Sequence, residues 1–165
     1  MIELLGLFSC GLVLGLGGLG SCLGIVAAGT AAAGAWASEG KAGKSLSFQY
    51  IIMVAAPISQ TLYSMIAMLT MIKVAANPAN SLLCLGVAVG TGMLELFSAW
   101  YQGVIGAAGV RCMAENGGKG FGLIIIALGI IETVGILGMV FGLQILNSPL
   151  AKAIVETGAA AAGAQ

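Results

Sequence analysis

The sequence predicts an all-α membrane protein of four transmembrane helices, arranged as two tandem-repeated helical hairpins, and three observations predict it. The 165 residues are 59% hydrophobic and 7% charged, with 27 glycines, and the mean hydropathy is +1.09, a composition that argues against an ordinary soluble domain. Four long apolar runs are separated by short charged connections. The two halves of the chain also repeat a pattern at a fixed spacing.

About 20 apolar residues carry a helix across a bilayer, and the runs fall at 4–36, 47–72, 82–110 and 121–146. No basic segment precedes the first run, which is too long for a signal sequence, so it reads as a retained helix. The first and third runs exceed what a bilayer needs. Their helices should tilt or project on the side of the first and third loops.

Of the six basic and six acidic residues, all but Glu95 and Glu132 flank the apolar runs. Both hairpin loops carry two basic residues (Lys41 and Lys44; Arg111 and Lys119) against the single Lys73 of the middle connection. The positive-inside bias therefore puts both hairpin loops in the cytoplasm and the termini outside. Cys10, Cys22, Cys84 and Cys112 show no paired spacing, and the chain has no histidine. Neither a disulfide nor a zinc site is expected.

Residues 32–44, AAGAWASEGKAGK, resemble residues 107–119, AAGVRCMAENGGK, and MIAMLTMI at 65–72 resembles MVFGLQIL at 139–146. The chain divides accordingly into a first hairpin (1–76), a second hairpin (77–149) and a tail (150–165), the layout of an internal duplication. Under that register Glu132 corresponds to about Ile58, and 48–72 holds no acid. One carboxylate was kept and its counterpart lost.

Small residues recur at four-residue spacing in the first run (Gly11 and Gly15, Gly20 and Gly24, Ala27, Ala31 and Ala35) and in the third (Gly86 and Gly90, Ala99 and Gly103). In lipid, such faces let helix backbones approach closely. Two glycine-dense helices in equivalent halves fit the crowded inner wall of a ring of many copies.

Glu132 stands near the middle of the fourth run, where a charge costs about 2.5–3.5 kcal/mol even on the lenient insertion scale, so it should face protein and find a partner. Counted from the second hairpin loop, Gln102 lies at nearly its depth; counted inward from Ser81 and Asn147, Glu95 does. On the second run Ala56, Ser59, Gln60 and Tyr63 share one helical stripe. Pro57 lies in it and should loosen nearby carbonyls from the helical ladder. Carboxylate, amide, hydroxyl and carbonyl oxygens suit a small hard monovalent cation, as at the broken helices of transporters. A proton would need only an acid in an apolar pocket. The oxygen excess favours Na+, with H+ as the alternative. SEGKAGKS (38–45) resembles the end of a phosphate-binding loop, but Ser38 stands where that pattern needs glycine.

PISQTLYSM (57–65), FSAWYQG (97–103) and IIETVGILG (130–138) together resemble the rotor-ring proteolipid of V-type ATPases, called K or c, in its duplicated four-helix, sodium-type form. The resemblance runs to about residue 149. It implies a homo-oligomeric rotor ring that carries Na+ on Glu132, with Gln102, Gln60, Ser59 and the Ala56 carbonyl as ligands and Tyr63 and Pro57 in support. It further implies a stator subunit bearing an essential arginine, central-stalk subunits and ATP hydrolysis in other subunits, so that this chain has no catalytic centre of its own. A prokaryotic cell membrane is the expected setting, lipid is a partner and nucleic acid is not.

Glu95 departs from the family pattern. It reads either as part of the ion path or as a partner between neighbouring copies. The competing readings are a proton-translocating rotor and a small proton-coupled multidrug exporter. The exporter's pocket should be lined by aromatics for cation–π contact, yet Trp36 and Trp100 lie away from Glu132 in sequence. An assembly protein without transport would leave the carboxylate unexplained.

Overall fold

The computed structural model describes residues 2–149. The tail set apart by the sequence, 150–165, lies outside the described residues. Among them there is no strand, and the helices are α1 (Ile2–Lys41), α2 (Gln49–Ala55), α3 (Ser59–Ala75), α4 (Ser81–Glu115) and α5 (Phe121–Leu146). α2 and α3 are one span, joined through the 3-10 turn Ala56–Ile58. Four helices, Leu4–Lys41, Gln49–Ala75, Pro78–Glu115 and Phe121–Leu146, are long and apolar enough to cross a membrane, and the chain is an integral membrane protein.

α1 has 40 residues and α4 has 35. At 1.5 Å per residue α1 is about 60 Å long, well beyond a hydrocarbon core of about 30 Å. Both long helices run past the expected limits at residues 36 and 110, because charged residues break no helix once it has left the apolar layer. Glycine ends these projections: Gly43 (φ +67°) follows α1, and Gly117, Gly118 and Gly120 (φ +62°, +84° and +94°) shape the turn into α5, conformations that a Cβ disfavours.

Glu39 stitches the first turn. It accepts the Ser47 backbone N–H at 2.9 Å and the Tyr50 hydroxyl at 2.7 Å, while Trp36 Nε1 donates to the Ser47 carbonyl at 2.8 Å. The segment that resembles a phosphate loop is thus a helix end held by its own carboxylate. At the opposite end, Asn77 accepts the Ala79 N–H at 3.0 Å and Asn80 Nδ2 donates to the Val74 carbonyl at 3.1 Å.

α4 packs against α1, α3 and α5. Against α1 the approach is backbone to backbone. A Cβ on Gly20 would strike the main chain of Leu96, and one on Gly103 would strike the main chain of Gly24. The core is layered along the helix axes. One apolar cluster holds Cys10, Val13, Met71, Cys84 and Leu146; a second, near the hairpin loops, holds Ala32, Tyr50, Met53, Val110, Met113 and Leu128. Between them lies a polar layer of buried Ser21, Gln60, Ser64, Glu95, Ser98 and Gln102.

The small-residue stripes divide into two sets. Gly20, Gly24 and Gly103 line the α1–α4 contact, whereas a Cβ on Gly11, Gly15, Gly86 or Gly90 would meet nothing of its own chain within 4 Å.

Candidate functional site

The residues singled out by sequence converge on the polar layer from three helices. Tyr63 of α3 donates its hydroxyl to Glu132 Oε1 at 2.9 Å, which joins the middle of α3 to the middle of α5. Both side chains are half-buried, on the seam between those helices.

Pro57 takes the chain out of α-helical geometry, as its missing N–H requires: residues 56–58 form the 3-10 turn. The Ala56 carbonyl is already engaged, by the backbone N–H of Ser59 and by its hydroxyl at 3.1 Å. The Pro57 carbonyl takes the Ser21 hydroxyl at 2.5 Å, and Thr61 donates to Ser21 Oγ at 2.7 Å. α1 therefore grips the second span at its break.

Ser59 also donates to Gln60 Oε1 at 3.1 Å. Gln60 is fully buried and its Nε2 donates to Ser98 Oγ at 3.0 Å, while Ser98 donates to the Ile131 carbonyl at 2.9 Å. Gln102 reaches the same helix by a long bond, from Nε2 to the Leu128 carbonyl at 3.4 Å, and its Oε1 has no protein partner. With Gly109 packed on Ile124 and Gly138 on Leu94, α4 and α5 run antiparallel in a register that carries Gln102 and Glu132 to similar depth. Their side chains share no hydrogen bond; Glu132 is held from α3 instead.

Glu95 lies seven residues, about two turns, before Gln102 on α4 and is 0% exposed. That burial is inside its own chain and places Glu95 in the polar layer. Both carboxyl oxygens lack a protein partner.

Ser98 and Ser21 were not singled out by sequence. The signal for Ser98 was present: Thr91, Glu95, Ser98 and Gln102 follow i, i+4, i+7 and i+11 on one face of α4, and Thr91 donates to the Gly138 carbonyl at 3.2 Å. Ser21 has no such stripe. Its importance comes only from the partner that folding brings to it.

Tyr63 apart, the aromatic clusters lie elsewhere. Trp100 stacks with Tyr101 at 5.7 Å and with Phe97 at 6.4 Å on the exposed face of α4, and Trp36 meets Tyr50 at 6.1 Å near the first turn.

The site thus offers a half-buried carboxylate steadied by a phenol, with buried amides and hydroxyls behind it, in the middle of a membrane bundle. No curated protein matches the chain. Residues 85–145, which contain most of α4 and nearly all of α5 and so both Gln102 and Glu132, match the family model of the ATP synthase C subunit, and over this hairpin the chain is similar to that family.

Proposed function

We propose that the protein is the rotor-ring subunit of a V-type ATPase, the proteolipid called K or c, and that it carries Na+ across a prokaryotic cell membrane on Glu132 as the ring turns. The observation that carries this reading is the Tyr63–Glu132 hydrogen bond, which fixes a carboxylate where a membrane helix otherwise excludes one. The match of the second hairpin to a rotor family of ATP synthases and the open glycine faces at Gly11, Gly15, Gly86 and Gly90 support assembly from identical copies.

In this reading Glu132 supplies the charge, and Gln102 Oε1, Gln60, Ser59 and the Ala56 carbonyl supply neutral oxygens. Tyr63 orients the carboxylate, and Pro57 shapes the carbonyl edge of the site. With the ion bound the carboxylate is neutralised and can face lipid, because isolated charge is what hydrocarbon penalises. An arginine on the stator subunit displaces the ion, central-stalk subunits transmit torque, and ATP is hydrolysed in other subunits. The hairpin loops face the cytoplasm.

Carbodiimide labelling of the purified protein tests this, since the reagent attacks a protonated, accessible carboxyl. Labelling at Glu132 that sodium suppresses is the expected result. Labelling that follows pH and ignores sodium would transfer the same rotor to protons.

A further inference from the structure

The polar layer holds a second carboxyl that the Glu132 reading does not use. Glu95 is 0% exposed, as are Ser64 and Ser98, and Ser64 Oγ and both Glu95 oxygens have no partner. Among the described residues, every basic side chain belongs to the ends of the bundle: Lys41, Lys44, Lys73, Arg111 and Lys119. An ionised carboxylate so placed needs a positive partner that the chain does not supply.

The Glu95 and Ser98 oxygens lie close together beside Gly135, and Ser64 lies at about their depth. Gly17 of α1 packs on Ser64, and Gly20, three residues later, packs on Leu96. Ser64 and Glu95 are therefore within about one helical turn of each other in depth. A Cβ on Gly135 would stand 2.7 Å from Glu95 Oε2, 3.2 Å from Ser98 Oγ and 3.2 Å from Gln60 Cγ, so these groups crowd around one glycine of α5. On the opposite wall, a Cβ on Gly17 would run into the Ser64 hydroxyl. Glycines thus leave room on both sides of this cluster.

We propose that Glu95, Ser64 and Ser98 form a second cation site inside the bundle, taking a small monovalent cation such as sodium. One carboxylate and neutral hydroxyl oxygens match a single positive charge. A divalent ion would leave net charge in the bundle interior. This site stands apart from the Glu132 reading, because its carboxyl faces Gly135 and the bundle core, whereas Glu132 lies on the half-buried α3–α5 seam.

The test is sodium stoichiometry on the assembled protein purified from membranes, measured by radioactive sodium binding. If both sites exist the wild type holds two ions per chain, and Glu95→Gln and Glu132→Gln each lose one. Loss of an ion in Glu95→Gln with no loss in Glu132→Gln would keep the interior site and reject the outer one. A wild type with one ion that Glu95→Gln retains overturns the proposal. Should Glu95→Gln fail to assemble, Ser64→Ala decides: about tenfold weaker binding of one of the two ions is expected, and unchanged binding overturns the site. A sodium-saturated wild type that still shows the infrared carbonyl band of a protonated carboxyl, absent in Glu95→Gln, would mean that a proton occupies Glu95 and would also overturn it.

Discussion

Tyr63 and Glu132 stand 69 residues apart in sequence and are joined by a hydrogen bond of 2.9 Å between α3 and α5. That bond sets the direction of the only acid on α5. A phenol bonded to an ionised carboxylate contributes about 1.5–3 kcal/mol.

Tyr63→Phe should therefore weaken sodium protection of Glu132 by roughly ten- to a hundredfold, the range equivalent to that energy. The half-protecting sodium concentration in carbodiimide labelling measures it. An unchanged value would mean that the tyrosine does not hold the carboxylate during ion binding.

The α1–α4 contact makes a sharper steric prediction. A Cβ on Gly103 would overlap the main chain of Gly24, while one on Gly11 would meet nothing of its own chain. Gly103→Ala should destabilise the chain by at least the ~1–3 kcal/mol typical of overpacking. Gly11→Ala should leave a single chain's stability within about 0.5 kcal/mol of wild type. Denaturant titration of monomeric chains in mild detergent separates the two.

Ser21→Ala removes the donor to the Pro57 carbonyl and the acceptor for Thr61. The buried carbonyl left behind should cost about 1–3 kcal/mol. Faster amide hydrogen exchange centred on residues 57–61 is the expected local signature.

At the first turn, Glu39→Ala deletes the acceptor of both Ser47 N–H and Tyr50 O–H. Exchange at residues 42–50 should accelerate, while the polar layer keeps its wild-type protection. Spread of the effect to Gln60 or Glu132 would contradict a purely local role.

Much of this architecture was legible in the sequence because hydrocarbon imposes length and apolarity on every span. The fourth run, 121–146, coincides with α5. Boundaries outside the bilayer were harder. Residues 37–41 look like loop by charge, yet they continue α1, since water tolerates a charged helix. The stripe from Ala56 to Tyr63 could be read from periodicity, and the break at Pro57 from proline's missing N–H.

What Ser21 and Gly135 do could not be read that way. Each matters through a group on another helix, the Pro57 carbonyl in one case and the Glu95 carboxyl in the other, and pairings across helices are fixed by register. Glu95 itself was visible as an oddity, but its complete burial follows only from how α3 and α5 close over α4.

The backbone contact between Gly24 and Gly103 leaves no side chain between α1 and α4. With nothing there to repack, a shift of one helix carries the other with it. The two absent methyl groups make one stiff strut of the two longest helices.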